Sequence, residues 1–158
     1  MVSDGAPAGQ PLIHPGQWNI HYDYAVGDTA RQFFTDLRDH ARIMGRRCPG
    51  CQAVLVPPRA YCERCFVKTT DWVEVGPLGT IEAFTIVYEP FDGLPRPPYV
   101  VAYVTLDGAS TAMANFVTGV DLSVPAAAAQ RLALGNRVEA VFADPREGLI
   151  TDFHFRLA

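Results

Sequence analysis

Residues 46–65 read RRCPGCQAVLVPPRAYCERC and contain all four cysteines of the 158-residue chain, Cys48, Cys51, Cys62 and Cys65. The cysteines form two C-x2-C pairs with ten residues between the pairs. Tetrahedral zinc takes four ligands, and each C-x2-C turn brings two thiolates to one side of the ion. Ten residues allow a short hairpin to return, so the spacing predicts a zinc ribbon with these four cysteines as metal ligands.

The metal in this ribbon is expected to be structural. A closed set of four cysteines leaves no coordination position for water, which a catalytic zinc requires. An iron centre of the rubredoxin kind uses the same ligands, and the spacing leaves it open. A redox-active C-x-x-C is disfavoured because there are two pairs and no thioredoxin-like βαβ pattern. With the quartet complete, the scattered histidines are interpreted as ordinary surface or core residues; they are His14, His21, His40 and His154.

The composition is that of a globular protein, with 49% hydrophobic and 19% charged residues. No apolar run approaches the roughly 18 residues of a membrane span, and the first ten residues do not resemble a signal peptide. We therefore expect a cytoplasmic protein without a membrane partner. In a reducing compartment a metal, rather than disulfides, holds thiolates together.

An amphipathic helix is predicted before the cysteines. Asp28 is expected to cap its start and Gly45 to end it. Its apolar face would comprise Phe33, Phe34, Leu37, Ala41 and Met44. Such a face either packs within its own chain or docks on a second one.

After the cysteines the periodicity changes to two, which favours strands. Strands are predicted at 79–88, 99–107, 111–117, 137–143 and 149–155, with a hairpin turn at Asp107-Gly108 and a short helical connector, PAAAAQRLALG, ending at Gly135. Five strands with a helix between the third and fourth is the element order of an OB-fold barrel. Acidic residues in these strands are interpreted as solvated.

Two segments have no regular period. The first 27 residues are predicted to form an extended arm, and its stretch LIHPGQWNIHYDYAVG, taken as a whole, is aromatic-rich without a clean helical or strand repeat. This arm either folds over the body or lies across a partner. The proline-rich stretch EPFDGLPRPPYV, residues 89–100, is predicted to be a stiff loop that closes the barrel or makes contacts.

No catalytic apparatus is evident in the sequence. It has no glycine-rich phosphate loop, no G-x-S-x-G, no H-E-x-x-H and no cysteine outside the quartet. An enzyme in its own right would need a site assembled at a subunit interface, for example from Glu82, Glu89 and Asp92.

From about Ala30 to the C-terminus the chain resembles the zinc-ribbon and OB-fold accessory proteins grouped as domain of unknown function thirty-five. The resemblance lies in the helix, the Pro57-Pro58-Arg59 segment between the cysteine pairs, and the motif W-x-E-x-G-x-x-G-T that begins at Trp72. Family knuckles commonly place glycine where this chain has Gln52 and Phe66, so the turns are expected to differ.

The resemblance implies a mainly β protein with three parts: an arm over 1–27, a helix and rubredoxin-like zinc ribbon over 28–70, and a five-stranded OB-fold over 71–158. It also implies a noncatalytic accessory subunit of an acyl-CoA enzyme in lipid or steroid side-chain metabolism. The partner would be a thiolase-like condensing or retro-aldol enzyme or, alternatively, a MaoC-type enoyl-CoA hydratase, in a hetero-oligomer.

Coenzyme A thioester would then reach the protein through its partner. The arginines nearest the ribbon are the candidates for contacting the phosphates of coenzyme A: Arg46, Arg47 and Arg59, with Arg42 beside them.

The rival interpretation is a nucleic-acid-binding module, because OB-folds and zinc ribbons both serve that function elsewhere. Residues 1–70 carry eight basic against six acidic residues, whereas residues 71–158 carry five against eleven, a net charge of −6. A phosphate backbone requires a positive groove, so the charge of the barrel half argues against nucleic acid.

Overall fold

The structure is a computed structural model that describes Pro11, residues 13–16, Trp18 and residues 20–158. Residues 1–10 of the predicted arm, with positions 12, 17 and 19, lie outside the described residues. The elements in chain order are α1 (Asp28–His40), β1 (Ile43–Arg47), β2 (Val54–Leu55), β3 (Trp72–Val75), β4 (Leu78–Val87), β5 (Tyr99–Leu106), β6 (Met113–Thr118), α2 (Pro125–Arg131), β7 (Arg137–Phe142), a 3-10 helix (Ile150–Asp152) and β8 (Phe153–Leu157).

Helix α1 is shorter than its apolar pattern predicted. It ends at His40, because Ala41 adopts a left-handed conformation at φ 50° and donates its N–H to the carbonyl of Asp36. The predicted end at Gly45 is therefore wrong: Met44 and Gly45 belong to β1. A Cβ at Gly45 would lie 2.7 Å from Val54 Cγ1, so glycine is required there by close packing rather than by a helix end.

The start of α1 also differs from the prediction. Gly27 occupies the N-cap position and Asp28 is the first helical residue, where its carboxylate pairs with Arg31 at 3.0 Å. A negative charge in the first turn is favoured by the helix dipole. Phe33 and Leu37 are buried against this chain, so α1 packs within its own chain and is not a detached docking helix.

A three-stranded antiparallel sheet, in the order β2-β1-β3, carries the ribbon. Strand β1 pairs with β2 through Arg46 and Arg47, and with β3 along its length, where Ile43 lies opposite Val75. The Trp72–Val75 segment therefore belongs to the ribbon sheet, and the barrel strands start at Leu78.

The remaining five strands form a closed barrel in the order β4-β5-β6-β8-β7, with α2 between the third and the fourth in sequence. This confirms the predicted OB-fold element order. The last strand begins later than predicted, because residues 150–152 form a 3-10 helix before it. The Asp107-Gly108 turn is confirmed: Gly108 has φ 89°, and β5 and β6 pair antiparallel.

One apolar core joins the ribbon to the barrel. Ile43, Val54 and Val75 of the ribbon sheet belong to the same buried cluster as Val104 and Phe153 of the barrel. Polar contacts reinforce this junction. The backbone N–H of Val54 donates to Ser110 Oγ at 3.0 Å, and that of Val56 donates to Thr111 Oγ1 at 2.7 Å.

Asp152 corrects the interpretation of the strand acids as solvated, because it is 3% exposed. Its carboxylate accepts hydrogen bonds from the backbone N–H groups of Glu147, Gly148 and Leu149, the shortest of them 2.7 Å from Gly148. Burial alone would raise the pKa of Asp152, but these donors and the nearby Arg146 charge outweigh it and lower the pKa. The carboxylate thus holds the 147–152 loop against the barrel.

Within the described residues, neither helix has the length and apolar character needed to cross a membrane.

Candidate metal centre

The four predicted cysteines come together in the structure. Their sulfur atoms all lie within 4.8 Å of one another, and Cys51 Sγ is 3.8 Å from Cys62 Sγ. A tetrahedron with Zn–S bonds of about 2.3 Å has sulfur–sulfur edges of about 3.8 Å. The donor set and its size therefore fit a tetrahedral zinc ion of the ribbon type. Among the described residues, this is the one group of three or more metal-ligating side chains.

The two knuckles have the same local hydrogen bonding. Cys48 N–H donates to the carbonyl of Ala53, and Cys62 N–H donates to that of Val67, each at 2.9 Å and five residues on. The N–H groups of Gln52 and Phe66 donate back to the carbonyls of Cys48 and Cys62, also at 2.9 Å. This repeated turn is what places both sulfurs of each pair on one side of the site.

Gln52 and Phe66 keep the backbone that glycine would favour. Their φ angles are 61° and 54°, in the left-handed region that costs a residue with a Cβ roughly 1–2 kcal/mol. Both knuckles therefore keep a left-handed residue at the position where glycine is common in the family. The site imposes the turn, and the two side chains are accommodated because they point away from it: the Phe66 ring is 85% exposed.

The two cysteines of each knuckle differ in exposure. Cys48 and Cys62 are buried with Leu55, whereas Cys51 and Cys65 are half-buried. Hydrogen bonding with Cys51, followed by burial, raises the pKa of Cys65 to about 12. A bound divalent cation would supply the positive charge that stabilises cysteine thiolates at such a site. Gly50 lies close beside them, since a Cβ there would be 3.2 Å from Cys65 Sγ.

The candidate phosphate-binding arginines lie around the ribbon but do not converge on one point. Arg46 donates to the carbonyl of Thr69 at 2.7 Å and lies over the Trp72 ring, 4.8 Å from its centroid. Arg59 pairs with Glu63 at 2.5 Å. Arg47 makes a single long hydrogen bond, 3.4 Å, to the carbonyl of Gln52.

The structure thus gives Arg46 an intramolecular role that sequence reasoning missed. Trp72 was the sequence feature that could have indicated this contact, because an aromatic ring can stack on a guanidinium. It lies opposite Arg46 in the β1–β3 register. Arg42 likewise pairs with Glu74 of the neighbouring strand at 3.5 Å. The acids considered for a shared site, Glu82, Glu89 and Asp92, are exposed on β4 and the loop that follows it.

Two family models match this chain side by side. Residues 35–71 match the model described as "ChsH2, rubredoxin-like zinc ribbon domain", and residues 72–143 match "ChsH2, C-terminal OB-fold domain". A curated relative, described as a DUF35 domain-containing scaffold protein from Methanocaldococcus jannaschii, is 26% identical over 121 residues, which cover 73% of this chain and 80% of the relative.

Two solved structures have the same fold. A DUF35-family protein of unknown function from Sulfolobus solfataricus superimposes with a TM-score of 0.62 at 22% identity, covering 84% of this chain and 87% of the other. A chain of the Ltp2-ChsH2(DUF35) aldolase gives a TM-score of 0.62 at 21% identity, covering 85% of this chain and 98% of the other. With its ribbon and barrel matched over more than half of its length, this chain belongs to the DUF35 family of ChsH2-type zinc-ribbon and OB-fold proteins.

Proposed function

We propose that this protein is a noncatalytic scaffold subunit of an acyl-CoA enzyme, with a thiolase-like condensing or retro-aldol enzyme as its partner. The observation that carries the proposal is the match of both domains to ChsH2, because a chain of this fold was solved as part of a Ltp2-ChsH2(DUF35) aldolase. That neighbour favours a retro-aldol partner over a MaoC-type hydratase. We extend the proposal to lipid or steroid side-chain metabolism as the substrate class, as the resemblance to the family implies.

The chemistry of the metal centre supports a noncatalytic role. Four cysteine ligands complete a tetrahedral ion, so a zinc bound there has no position at which to activate water or polarise a carbonyl. Zinc would instead stabilise the turns that carry Gln52 and Phe66 and the sheet that connects them to the barrel. In this proposal the reacting groups come from the partner.

Coenzyme A would bind at the junction between the subunits. Of the predicted phosphate contacts, Arg47 is the best placed to contribute, since it makes one weak hydrogen bond within this chain. Arg59 could contribute after exchanging Glu63 for a phosphate, as a guanidinium pairs readily with either group. Arg46 would act by fixing Thr69 and Trp72.

The experiment is purification of the tagged full-length chain from its native cell at low salt, followed by mass spectrometry of the copurifying proteins. The proposal predicts recovery of a thiolase-like enzyme in a fixed ratio to the chain. Recovery of nucleic acid, or acyl-CoA turnover by the purified chain alone, would contradict it. Once a complex is in hand, Arg47→Glu should weaken its affinity for acyl-CoA, whereas Lys68→Glu provides a charge-reversal control on the same ribbon.

A further inference from the structure

The C-terminal half of the arm has a strand pattern. Although the sixteen-residue stretch as a whole has no clean period, its segment WNIHYDYAV, residues 18–26, places an apolar side chain at every second position. The apolar positions are Trp18, Ile20, Tyr22, Tyr24 and Val26. Asparagine, histidine, aspartate and alanine fill the alternate positions. Alternation of large apolar side chains with polar or small ones over nine residues is typical of a β-strand with one apolar face.

The arm does not form this strand within the chain. Residues 20–26 have no regular secondary structure, and none of them joins a β-ladder of the described chain. The five apolar side chains of the alternating row are between 41% and 89% exposed. An exposed row of this size is uncommon on a monomer and marks an interaction site. The pattern therefore indicates a strand whose neighbour is another molecule.

The sheet edges that a second copy offers are shorter than this segment. Strand β3, an edge of the ribbon sheet, has four residues. On β4, pairing with β7 extends from Leu78 to Thr80, which leaves the six residues 82–87 without a ladder partner on that side. Within the described part of the chain no sheet edge is longer, and neither of these matches a nine-residue segment. This difference in length favours an edge of a different protein over a sheet edge of a second copy.

The surface beside the arm continues the apolar row. Tyr22, Tyr24 and Val26 line a groove of about 560 Å³ together with Phe34 of α1 and with Leu149 and Ile150 of the 147–152 loop. Charged residues also line this groove: Asp23, Arg31, Arg38 and Glu147. Leu149 and Ile150 are themselves 50% and 38% exposed. Three aromatic side chains bury about 150–250 Å² each, so the arm alone supplies much of the roughly 800 Å² that one partner contributes to a stable interface.

We propose that residues 18–26 dock on the partner enzyme as an added edge strand, with the apolar row and the adjoining groove covered by that enzyme. This inference rests on the proposed scaffold function and identifies the element that makes the contact. Main-chain hydrogen bonds to the partner's strand would supply affinity, and alternate pockets for the aromatic side chains would supply specificity. The ribbon and barrel would then be held at a fixed place on the enzyme.

The test compares two interleaved double variants of the full-length chain. Tyr22→Ser with Tyr24→Ser removes two members of the apolar row, and His21→Ser with Ala25→Ser changes two of the alternate positions, neither of which lines the groove. All four side chains are exposed, so both variants should fold. Affinity for the acyl-CoA enzyme recovered with the tagged chain is measured for each, and hydrogen exchange at single amides is followed in the complex with the unsubstituted chain.

The proposal predicts that the tyrosine variant binds at least about ten-fold more weakly, whereas the His21 and Ala25 variant stays within about two-fold. It also predicts that every second amide of residues 20–26 becomes protected in the complex, because alternate N–H groups of an edge strand point to the neighbouring strand. Equal affinities for the two variants would overturn the role of the arm and leave the scaffold function standing. Failure of the unsubstituted chain to bind any acyl-CoA enzyme would overturn the scaffold function. A homodimer that dissociates on tyrosine replacement would assign the arm to a second copy and overturn the proposal.

Discussion

The two cysteine knuckles and the barrel are stabilised by different means. Around the cysteines, the buried cluster contains Cys48, Leu55 and Cys62 alone, with small or half-buried neighbours. The barrel buries large apolar side chains, among them Phe153 and Phe155, whose ring centroids lie 5.6 Å apart. A small cluster cannot offset the conformational entropy of two tight turns. We therefore expect the order of the two knuckles to depend on a bound ion, whereas the barrel and the ribbon strands that share its core are ordered by apolar packing.

Loss of a metal ligand is the largest effect expected. Cys48→Ser should release zinc and unfold the two knuckles, because zinc binding contributes about 10–16 kcal/mol to the folding of small zinc modules. Metal content per chain measures the release of zinc, and hydrogen exchange across residues 43–75 measures the unfolding. Arg64→Ser, on the second knuckle, is the control. Strands β5 and β8 should retain more protection than the ribbon. Full zinc content in the Cys48→Ser variant would contradict the stabilisation of the knuckles by a bound ion.

Truncation of a side chain in the barrel core is expected to have the next largest effect. It should lower stability without releasing zinc. Phe153→Ala should lower the free energy of unfolding by about 3–5 kcal/mol, because the ring is fully buried between Phe142 and Phe155. Zinc content should be unchanged. Tyr103→Ala, on the exposed face of β5, is the control and should change stability by about 0.5 kcal/mol or less. Denaturant unfolding gives the free energy of unfolding, and metal analysis gives the zinc content. Loss of zinc from the Phe153→Ala variant would argue that the knuckles and the barrel are not stabilised independently.

Substitution of the buried carboxylate of Asp152 tests whether the stability of the barrel half also depends on a charge. Asp152→Asn keeps the shape of the side chain but replaces a carboxylate that accepts hydrogen bonds from three backbone N–H groups. We therefore expect the free energy of unfolding to fall by about 1–3 kcal/mol near neutral pH. Because the folded state lowers the pKa of Asp152, its stabilisation is complete above the unfolded value of about 3.9 and is lost as pH falls through the folded value.

The difference in unfolding free energy between the native chain and the Asp152→Asn variant should therefore shrink with acidification below about pH 4. Taking this difference removes the acid-linked loss of zinc, which affects both proteins. A difference that stays constant from neutral pH to pH 2 would show that ionisation of Asp152 contributes nothing.

The smallest effect concerns the turns of the ribbon. Phe66→Gly removes the strain of a left-handed conformation in a residue with a Cβ, but it also raises the conformational entropy of the unfolded chain. The free energy of unfolding should therefore be unchanged or rise by up to about 1 kcal/mol. Arg64→Gly, in the same knuckle but outside the positive-φ positions, should instead lose about 0.5–1 kcal/mol. Thermal unfolding of the zinc-loaded proteins distinguishes the two. A larger loss from Phe66→Gly than from Arg64→Gly would mean that the exposed ring stabilises the ribbon.

Much of the fold follows from local patterns in the sequence. The spacing of the cysteines predicts the ribbon because ligand geometry is local, and the alternation after Gly79 predicts the barrel strands because each has one buried face. The end of α1 was not predictable in this way. Ala41 turns left-handed without being glycine, and the apolar residues beyond it fit both a helix and the β1 strand.

Sequence reasoning missed the contacts of two charged side chains. Arg46 contacts Thr69 and Trp72 rather than being free for a phosphate, and Asp152 accepts hydrogen bonds from the 147–149 backbone rather than being solvated. The arm differs from both cases. Its alternation is visible in the sequence, but its strand neighbour is not part of this chain.

The scaffold role is best tested by measuring acyl-CoA turnover by the copurified enzyme with and without this chain, and by this chain alone. We expect no turnover by the zinc-loaded chain alone, and turnover by the enzyme that is restored when the chain is added back. Turnover by the chain alone, or enzyme activity and stability that do not change when the chain is removed, would show that it is not a scaffold.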